Sequence, residues 1–209
     1  MFLPIPFLYN KVTDMTGPYF ILASSSPRRI ELLGAQGYRF KVVKPLADEH
    51  CTIKDPVKNA LDVSLRKAKV VAVKNPSKII LSADTIVVLD KLILGKPKNK
   101  KDALDMLSKL NNRTHKVITA FTVAVYKNSR LKILSSKAVT SKVIFGDFSK
   151  DDYINYIKTK EPMDKAGAYA VQGLGSKFIK TISGSYTNVV GLPLFEVSKE
   201  LQKAGVPIP

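Results

Sequence analysis

The amino-acid sequence predicts a mixed α/β fold built from one continuous chain. In the first half, apolar segments typical of strands alternate with segments of helical periodicity. Two long β-rich segments then follow each other in the middle. The 209 residues contain no internal repeat or low-complexity linker, so we expect one unit with room for two lobes around a central cleft.

The first three elements have recognisable boundaries. Tyr19–Ala23 is short and apolar, which is typical of a buried strand. A helix is predicted over Pro27–Leu33, because proline is favoured at the first helical position after a serine N-cap and Gly34 stops the helix. From Val57 to Val73 apolar residues recur every three or four positions, which indicates a second helix.

The middle of the chain is dominated by strands. Ile79–Leu89 is apolar and β-rich, and Leu92–Leu94 is placed as its hairpin partner. Asn99–Leu110 has its apolar residues on one helical face. Lys116–Tyr126 and Lys132–Phe145 are predicted to be long strands joined by a polar turn.

The last part of the chain is less regular. A helix is predicted to begin at Ser149 and run through Ile157, because a serine followed three residues later by an acidic residue is a capping pattern. Residues 160–192 are rich in glycine and contain short strand-like pieces such as Phe178–Ile182. Pro193–Lys203 is predicted to be the closing helix.

The composition is that of a folded protein with an unusual charge. With 45% hydrophobic and 24% charged residues, the chain is neither mainly disordered nor collagen-like. The single cysteine, Cys51, excludes an internal disulfide and a cysteine-rich metal site, and is compatible with a reducing compartment. The net charge of +17 favours anionic partners such as nucleotides, nucleic acid or an acidic membrane. The alternative is a basic surface that is only solvated.

The N-terminal residues are predicted to lie apart from the folded domain. No apolar run approaches the roughly 20 residues that span a membrane. The apolar start lacks a basic leading segment and contains Pro4 and Pro6, so it is a poor signal peptide. We therefore expect an N-terminal extension at 1–18 and a single domain at 19–209.

The segment from Leu22 to Arg29 joins a strand end, three serines including Ser24, and a helix start. Unpaired N–H groups and the positive end of the helix dipole make such a place an anion site. Arg28 and Arg29 stand in the first turn, where the dipole disfavours cations, and a bound phosphate would remove that conflict. The alternative is an ordinary serine cap with two surface arginines.

Asp84 is the most unusual side chain of the apolar strand Ile79–Leu89. A carboxylate there loses hydration and needs hydrogen bonds, a cation or a metal to compensate. The alternative is an aspartate at a strand edge that faces water. We interpret Asp84 as a functional carboxylate because apolar residues crowd both of its sides.

Two further segments give weaker signals. Lys96 lies between a glycine and a proline that define a loop, although it is one of many lysines. Gln172 lies in the segment from Asp164 to Gly173, whose small residues allow a close approach of the backbone, and its amide could read the edge of a base. The alternative is an exposed loop glutamine.

Several enzyme classes lack their motifs in this chain. Neither the dinucleotide fingerprint nor the P-loop is present, so a nicotinamide enzyme, a methyltransferase and a P-loop enzyme are not suggested. His50 and His115 are too few for a histidine-rich metal centre, and we interpret His115 as structural. Cys51 has no neighbouring pattern that marks a nucleophile.

Taken together, the motifs resemble those of the Maf nucleotide pyrophosphatases. Their order and spacing hold from about residue 20 to the C-terminus. The matching segments are Leu22–Arg29 with Glu31–Leu33, Lys67–Ala68, Ser82–Val87, Gly95–Pro97, Thr114–Val117, Asp164–Tyr169, Gln172–Gly173 and Gly184–Pro193.

The resemblance implies a Maf-like mixed sheet with helices, similar to inosine triphosphate pyrophosphatase, and a single Maf-like catalytic domain over 19–209. It implies hydrolysis of a nucleoside triphosphate to the monophosphate and pyrophosphate, with Mg²⁺ or Mn²⁺ as cofactor. It also implies an enzyme that is often a dimer. We expect a cytoplasmic housecleaning enzyme with no specific nucleic-acid or membrane partner, in the form of a homodimer.

The resemblance also implies roles for individual residues. Asp84 corresponds to the proposed catalytic acceptor, acting as general base or, with Glu49, as metal ligand. Arg29, Thr85 and Gln172 correspond to residues associated with base choice, and this set is similar to the branch that acts on dTTP and UTP. Modified pyrimidine nucleotides are included in that expectation.

Other matching positions are assigned to the phosphates. Ser24, Arg28, Lys67 and Lys96 are expected to bind substrate, with the three cations holding phosphate oxygens. Ala120 stands where relatives usually have glycine, and its methyl group is expected to tighten a turn or shift the neighbouring strand.

A protein of another class on the same scaffold is the alternative: a basic nucleic-acid-binding or regulatory protein with little hydrolysis. The net charge of +17 motivates it. The sequence shows neither a basic-aromatic stacking module nor a tract of only lysine and arginine, which disfavours it.

Overall fold

Seven strands form one mixed sheet in the computed structural model, which describes residues 19–209. Their order is β2-β1-β3-β5-β6-β7, with β4 paired to β3, and only the two pairs made by β1 are parallel. The predicted extension at 1–18 lies outside the described residues. The strands are β1 (Phe20–Ala23), β2 (Phe40–Val42), β3 (Ile79–Leu89), β4 (Leu92–Leu94), β5 (Thr114–Lys127), β6 (Arg130–Phe145) and β7 (Ile179–Ser183).

Helices cover both faces of this sheet. Among residues 19–209, no helix is long and apolar enough to cross a membrane. The α-helices of this part of the chain are α1 (Pro27–Ala35), α2 (Pro56–Lys74), α3 (Lys100–Leu110), α4 (Lys150–Lys158), α5 (Tyr186–Val190) and α6 (Leu194–Lys203). Short 3-10 helices lie at Glu161–Asp164, Ala166–Ala168 and Leu174–Phe178.

The predicted elements are all present, with small shifts at their ends. Helix α1 continues one residue past Gly34, and α4 begins with the predicted capping box at Ser149. Ser26 occupies the N-cap position of α1 as expected, but its side chain makes no capping hydrogen bond. The backbone N–H of Ser26 donates to Ser24 Oγ at 3.2 Å. The sequence missed β2 and α5, because three and five residues are too few to show a period.

Successive residues of β3 point to opposite faces of the sheet, as the pleat requires. Ile80, Ile86 and Val88 pack on the face covered by α2. Leu81 and Val87 pack on the other face, where they belong to two separate hydrophobic clusters. One cluster contains α1 and α6 and the other contains α3 and α4, so the predicted α/β fold with two lobes is confirmed.

The cleft between the lobes exists because one edge of β3 is only partly paired. The pairing of β1 with β3 ends where Ala23 lies opposite Ser82. The pairing of β4 with the same edge begins only at Val87. The intervening residues, from Ala83 to Ile86, therefore have an open edge, and Asp84 and Thr85 lie in this opening.

Candidate active site

A cleft of about 950 Å³ surrounds the open edge of β3. Because Asp84 and Thr85 are consecutive in a strand, their side chains project to opposite faces of the sheet. The cleft reaches both faces, since residues of α2 and residues of the 189–191 segment line it. A single ligand that crosses this edge can therefore meet two chemically different surfaces.

The α2 face holds a carboxylate–ammonium–carboxylate group. Lys67 Nζ, on α2, lies 2.8 Å from Asp84 Oδ1 and 3.0 Å from Glu49 Oε1. The side chains of Lys67 and Asp84 are 7% and 13% exposed, so the pair is largely desolvated but still reaches the cleft. The Asp84 carboxylate was predicted to need hydrogen bonds, a cation or a metal as compensation, and the structure supplies the Lys67 ammonium.

The electrostatic environment keeps Glu49 ionised. Partial burial raises the pKa of its carboxyl group, but the Lys67 ammonium, with smaller effects of Lys96 and Arg29, outweighs burial and places the pKa below its ordinary value. Glu49 is half exposed at the mouth of the cleft. Its charge is thus available to a cation or to a polar ligand at neutral pH.

More cations stand along the rim of the cleft. Lys96 Nζ lies 3.9 Å from Glu49 Oε2, and Arg28 Nη1 lies 3.9 Å from Asp164 Oδ2. The Lys165 ammonium donates to the Asp164 carboxylate and, at 3.1 Å, to the backbone carbonyl of residue 161. These cations face the cleft from different segments, as a polyanionic ligand would require.

Arg29 is directed inward, unlike its neighbour Arg28. Its Nε donates to Gly191 O at 2.8 Å, and its Nη1 donates to Ala83 O at 2.9 Å and to Ser24 Oγ at 3.2 Å. Its Nη2 donates to Thr85 Oγ1 at 3.0 Å. The expectation that both arginines direct their forks at one phosphate is therefore wrong for Arg29: four of its five N–H donors already bind protein atoms.

The Thr85 face of the cleft is mostly apolar. An apolar lining suits the ring of a base more than a phosphate group. The apolar residues that line this side are Val87, Val117, Tyr169, Ala170, Val171, Val189 and Val190. The cleft thus combines a charged region near Asp84 with an apolar region beyond Thr85.

Gly167 allows the wall of the cleft to approach β3 closely. Its φ of +69° lies in the left-handed region, and an added Cβ would come 2.9 Å from Val87 Cγ2. Its N–H donates to Gly95 O at 3.0 Å, which connects this wall to the loop that carries Lys96. The close backbone approach predicted for the small residues of this motif is confirmed.

Gln172 is exposed and is not among the residues that line the cleft. The loop that carries Gln172 is held by Glu161, whose carboxylate accepts the N–H groups of Leu174 and Gly175 at 3.0 Å. The same carboxylate accepts the Tyr156 hydroxyl at 2.8 Å. The position of Gln172 agrees with the alternative given in the sequence analysis, an exposed glutamine in a loop. A role for Gln172 in reading a base stays a prediction.

The sequence did not predict that the side chains of Lys165 and Tyr169 line the cleft. Lys165 was noticed only as part of a motif, although its side chain is 13% exposed and lines the cleft. Tyr169 lines the cleft and is bound by His115 Nε2 at 2.8 Å. The small residues around them were the only local signal. Cys51, interpreted as incidental, also lines the cleft.

Ala120 does not occupy a turn, which corrects the first expectation for this position. It lies within β5 opposite Asp84, is completely buried, and packs in a cluster with Ala60 and Ile86. Its methyl group therefore adds to the core behind the face of β3 that carries Asp84.

His115 is buried, and it should make stability depend on pH. Burial lowers the pKa of His115 from 6.5 to about 4. Between these values the unfolded chain binds the proton and the folded chain does not, so stability should fall as the pH drops from 6.5 towards 4. The loss has an upper limit of about 3 kcal/mol, since one pKa unit corresponds to about 1.4 kcal/mol.

Chemical denaturation at a series of pH values tests this expectation. The variant His115→Gln should have a flatter pH dependence between pH 4 and 6.5 than the parent. The exposed His50 provides the control, because His50→Gln should leave the slope unchanged. A slope that persists in His115→Gln would assign the effect to other groups.

A divalent metal fits the donor set, although not as a preformed cage. No group of three or more His, Cys, Asp or Glu side chains that could hold a metal occurs within residues 19–209. Asp84 and Glu49 do converge on Lys67 and present two carboxylates to the cleft. Mg²⁺ characteristically takes one or two carboxylates together with waters and substrate phosphates. These residues therefore suit an ion that arrives with a phosphorylated ligand.

Fold and site together define an α/β protein with two lobes and a cleft between them, and the carboxylates and cations of this cleft suit an anionic ligand. The chain belongs to the Maf-like protein family, whose model matches residues 19–204. The family suggested by the sequence motifs is therefore confirmed.

Curated relatives cover most of the chain. A dTTP/UTP pyrophosphatase of Dictyoglomus turgidum is 44% identical over 187 residues, which are 88% of this chain and 95% of the relative. A dTTP/UTP pyrophosphatase of Symbiobacterium thermophilum is 44% identical over 189 residues, or 90% of this chain and 95% of its own. A dTTP/UTP pyrophosphatase of Fusobacterium nucleatum is 41% identical over 189 residues, which are 90% of this chain and 96% of the relative.

Proposed function

We propose that this protein is a nucleoside triphosphate pyrophosphatase that hydrolyses dTTP and UTP, or modified pyrimidine nucleotides, to the monophosphate and pyrophosphate. The observation that carries the proposal is the Asp84–Lys67–Glu49 group at the open edge of β3, in a cleft rimmed by further cations. The names of the curated relatives support the same substrates.

The nucleotide is proposed to cross the edge of β3. Its base occupies the apolar region beyond Thr85, and its triphosphate lies on the Asp84 side. Arg28 and Lys96, as expected from the sequence, bind and neutralise the phosphate oxygens, because charge on these oxygens must be held as it shifts in the transition state. Lys165 takes the place of the expected Lys67, whose ammonium is already paired with Asp84 and Glu49.

Asp84 is proposed to act on the water that attacks the α-phosphorus. A bond forms between the water oxygen and the α-phosphorus, the bond to the bridging α–β oxygen breaks, and pyrophosphate leaves. Asp84 accepts a water proton, while Lys67 orients the carboxylate through its 2.8 Å contact. A divalent ion held by Asp84 and Glu49 would supply charge neutralisation at the phosphates.

A nucleotide panel tests this proposal. With Mg²⁺ or Mn²⁺, the protein should release pyrophosphate from dTTP and UTP with higher kcat/KM than from CTP, ATP and GTP. Absence of turnover above buffer for every nucleotide would contradict the proposal. It would favour the alternative, a nucleic-acid-binding or regulatory protein, which no described feature of the site specifically supports.

Gln172 provides a separate test of base choice. If its amide reads the base, Gln172→Ala should reduce the preference for dTTP and UTP by roughly ten- to a hundredfold, because a lost polar partner costs about 1–3 kcal/mol. The control is Gln202→Ala, at an exposed glutamine of α6. An unchanged preference in Gln172→Ala would show that this exposed side chain does not read the base.

The remaining expectations stay predictions. They are a homodimer, a cytoplasmic location, the absence of a specific nucleic-acid partner, and a division of the chain into 1–18 and 19–209.

A further inference from the structure

We propose that Thr119 is a positioning residue for base selection: it fixes the Thr85 hydroxyl as a hydrogen-bond acceptor towards the base. This inference rests on the proposed function and deepens it. Thr119 lies on β5 directly opposite Thr85 on β3, and it is completely buried. It does not line the cleft, so it acts only through Thr85.

The direction of the hydrogen bonds follows from which atoms can donate. Thr119 Oγ1 lies 2.9 Å from the backbone carbonyl of Asn188, which can only accept, so the Thr119 proton is used there. Thr119 Oγ1 therefore has only lone pairs left for Thr85 Oγ1, which lies 2.9 Å away. In the contact between the two hydroxyls, Thr85 is therefore the donor and Thr119 the acceptor.

The contacts of Thr85 with Arg29 and Gly191 agree with this direction. Arg29 Nη2, which can only donate, binds Thr85 Oγ1 at 3.0 Å. The other acceptor within reach of the Thr85 proton is Gly191 O, at the longer distance of 3.4 Å. Either acceptor directs the proton into the protein, and the shorter contact to Thr119 is the stronger one.

The end of this chain of hydrogen bonds is anchored in the core. Asn188 is completely buried, and its Nδ2 donates to Val117 O at 3.1 Å and to Ser141 Oγ at 2.9 Å. The carbonyl that accepts the Thr119 proton is thereby held in place. A side chain held in this way pays no reorganisation when a ligand binds.

The fixed acceptor on Thr85 and the donor on Arg29 beside it together match one particular pattern of groups on a base. Thr85 presents a lone pair to the cleft, and Arg29 Nη2 has one N–H that no described protein atom accepts. Thymine and uracil offer an N3–H flanked by carbonyl oxygens, so they match both groups. Cytosine has an unprotonated N3, so its lone pair would face the lone pair of Thr85. The arrangement selects for the 2,4-dioxopyrimidines.

The variant Thr119→Val tests the inference, because it keeps the shape of the side chain and removes the hydroxyl. The Thr85 proton is then free to turn towards the cleft and to satisfy the N3 of cytosine. We expect the ratio of kcat/KM for UTP to that for CTP to fall about tenfold, with Gly191 O as a weaker remaining acceptor limiting the change. Thr119→Ser, which restores the hydroxyl, should restore the ratio.

Thr122→Val is the matched control. Thr122 is also completely buried on β5, and its hydroxyl contacts Ser64 Oγ at 2.9 Å on the α2 face, away from Thr85. If a variant only perturbs the fold, its kcat/KM should fall equally for UTP and for CTP, whether the variant is Thr119→Val or Thr122→Val. Only Thr119→Val should change the ratio.

A double variant tests whether Thr119 acts through Thr85. In a Thr85→Val background, adding Thr119→Val should not change the UTP-to-CTP ratio further. A further fall in that background would overturn the inference. An unchanged ratio in Thr119→Val with normal folding would also overturn it.

N3-methyluridine triphosphate gives a measurement on the parent protein that needs no variant. It lacks the N3–H, so its kcat/KM should lie at least about tenfold below that of UTP. Equal turnover of the two would overturn the inference even if Thr119→Val fails to fold. Failure of the parent to hydrolyse any nucleotide would instead contradict the proposed function, so the two failures are distinguishable.

Discussion

The variant Asp84→Asn is expected to lose at least about a hundredfold in kcat while the fold is retained, since general-base and metal-binding groups typically contribute this much. The amide keeps the size of the carboxylate but cannot accept a proton at neutral pH. Lys67 then keeps Glu49 as a charged partner at 3.0 Å, so the ammonium is not left unpaired. Pyrophosphate release measured with saturating dTTP gives kcat directly.

Asp90→Asn is the control for this loss. Asp90 follows β3 in the chain, is 71% exposed, and pairs with Arg113 outside the cleft. Its variant should retain the parent activity, and circular dichroism should show both variants folded. Turnover by Asp84→Asn close to that of the parent would remove Asp84 from the chemistry.

The variant Arg29→Met should destabilise the protein by about 3–5 kcal/mol. It removes every hydrogen bond of a side chain that is only 8% exposed. Each carbonyl left unpaired in the interior costs about 1–3 kcal/mol, and Arg29 serves the carbonyls of both Ala83 and Gly191. Burial also lowers the Arg29 pKa, although nearby Asp84 opposes that effect, because burial disfavours the charged guanidinium.

Arg28 offers a control one residue away on the same helix. Its side chain is 24% exposed and makes a 3.9 Å contact with Asp164. Arg28→Met should therefore change stability by less than about 1 kcal/mol, as is usual for exposed ion pairs. It should instead raise the KM for the triphosphate. Equal midpoints of urea unfolding for the two variants would contradict the structural role of Arg29.

The sequence contained enough local information to predict most of the fold. Helix α2 shows the 3.6-residue period over its length, and its start and end lie within one residue of the prediction. The long strands β3, β5 and β6 were recognised because β-rich residues continue over many positions. The short β2 and α5 form through tertiary contacts that a local pattern does not contain.

The candidate site was predicted in part. The apolar surroundings of Asp84 indicated that it needs a partner, and the structure supplies Lys67. The sequence placed Arg28 and Arg29 together, but only the structure shows that one faces the cleft and the other is buried. The direction of a side chain on a short helix depends on what packs against it, and for Arg29 that includes Gly191, far away in the chain.

By itself, the sequence determined the α/β class, the family and most of the residues brought to the cleft, because periods, caps and motifs are local properties. The tertiary structure alone decided which groups meet: the open edge of β3 between β1 and β4, the exposure of Gln172, and the contact of Thr85 with Thr119. These features depend on strand register and on contacts between distant segments. Such contacts form only when burial of the hydrophobic clusters on both faces of the sheet brings the strands together.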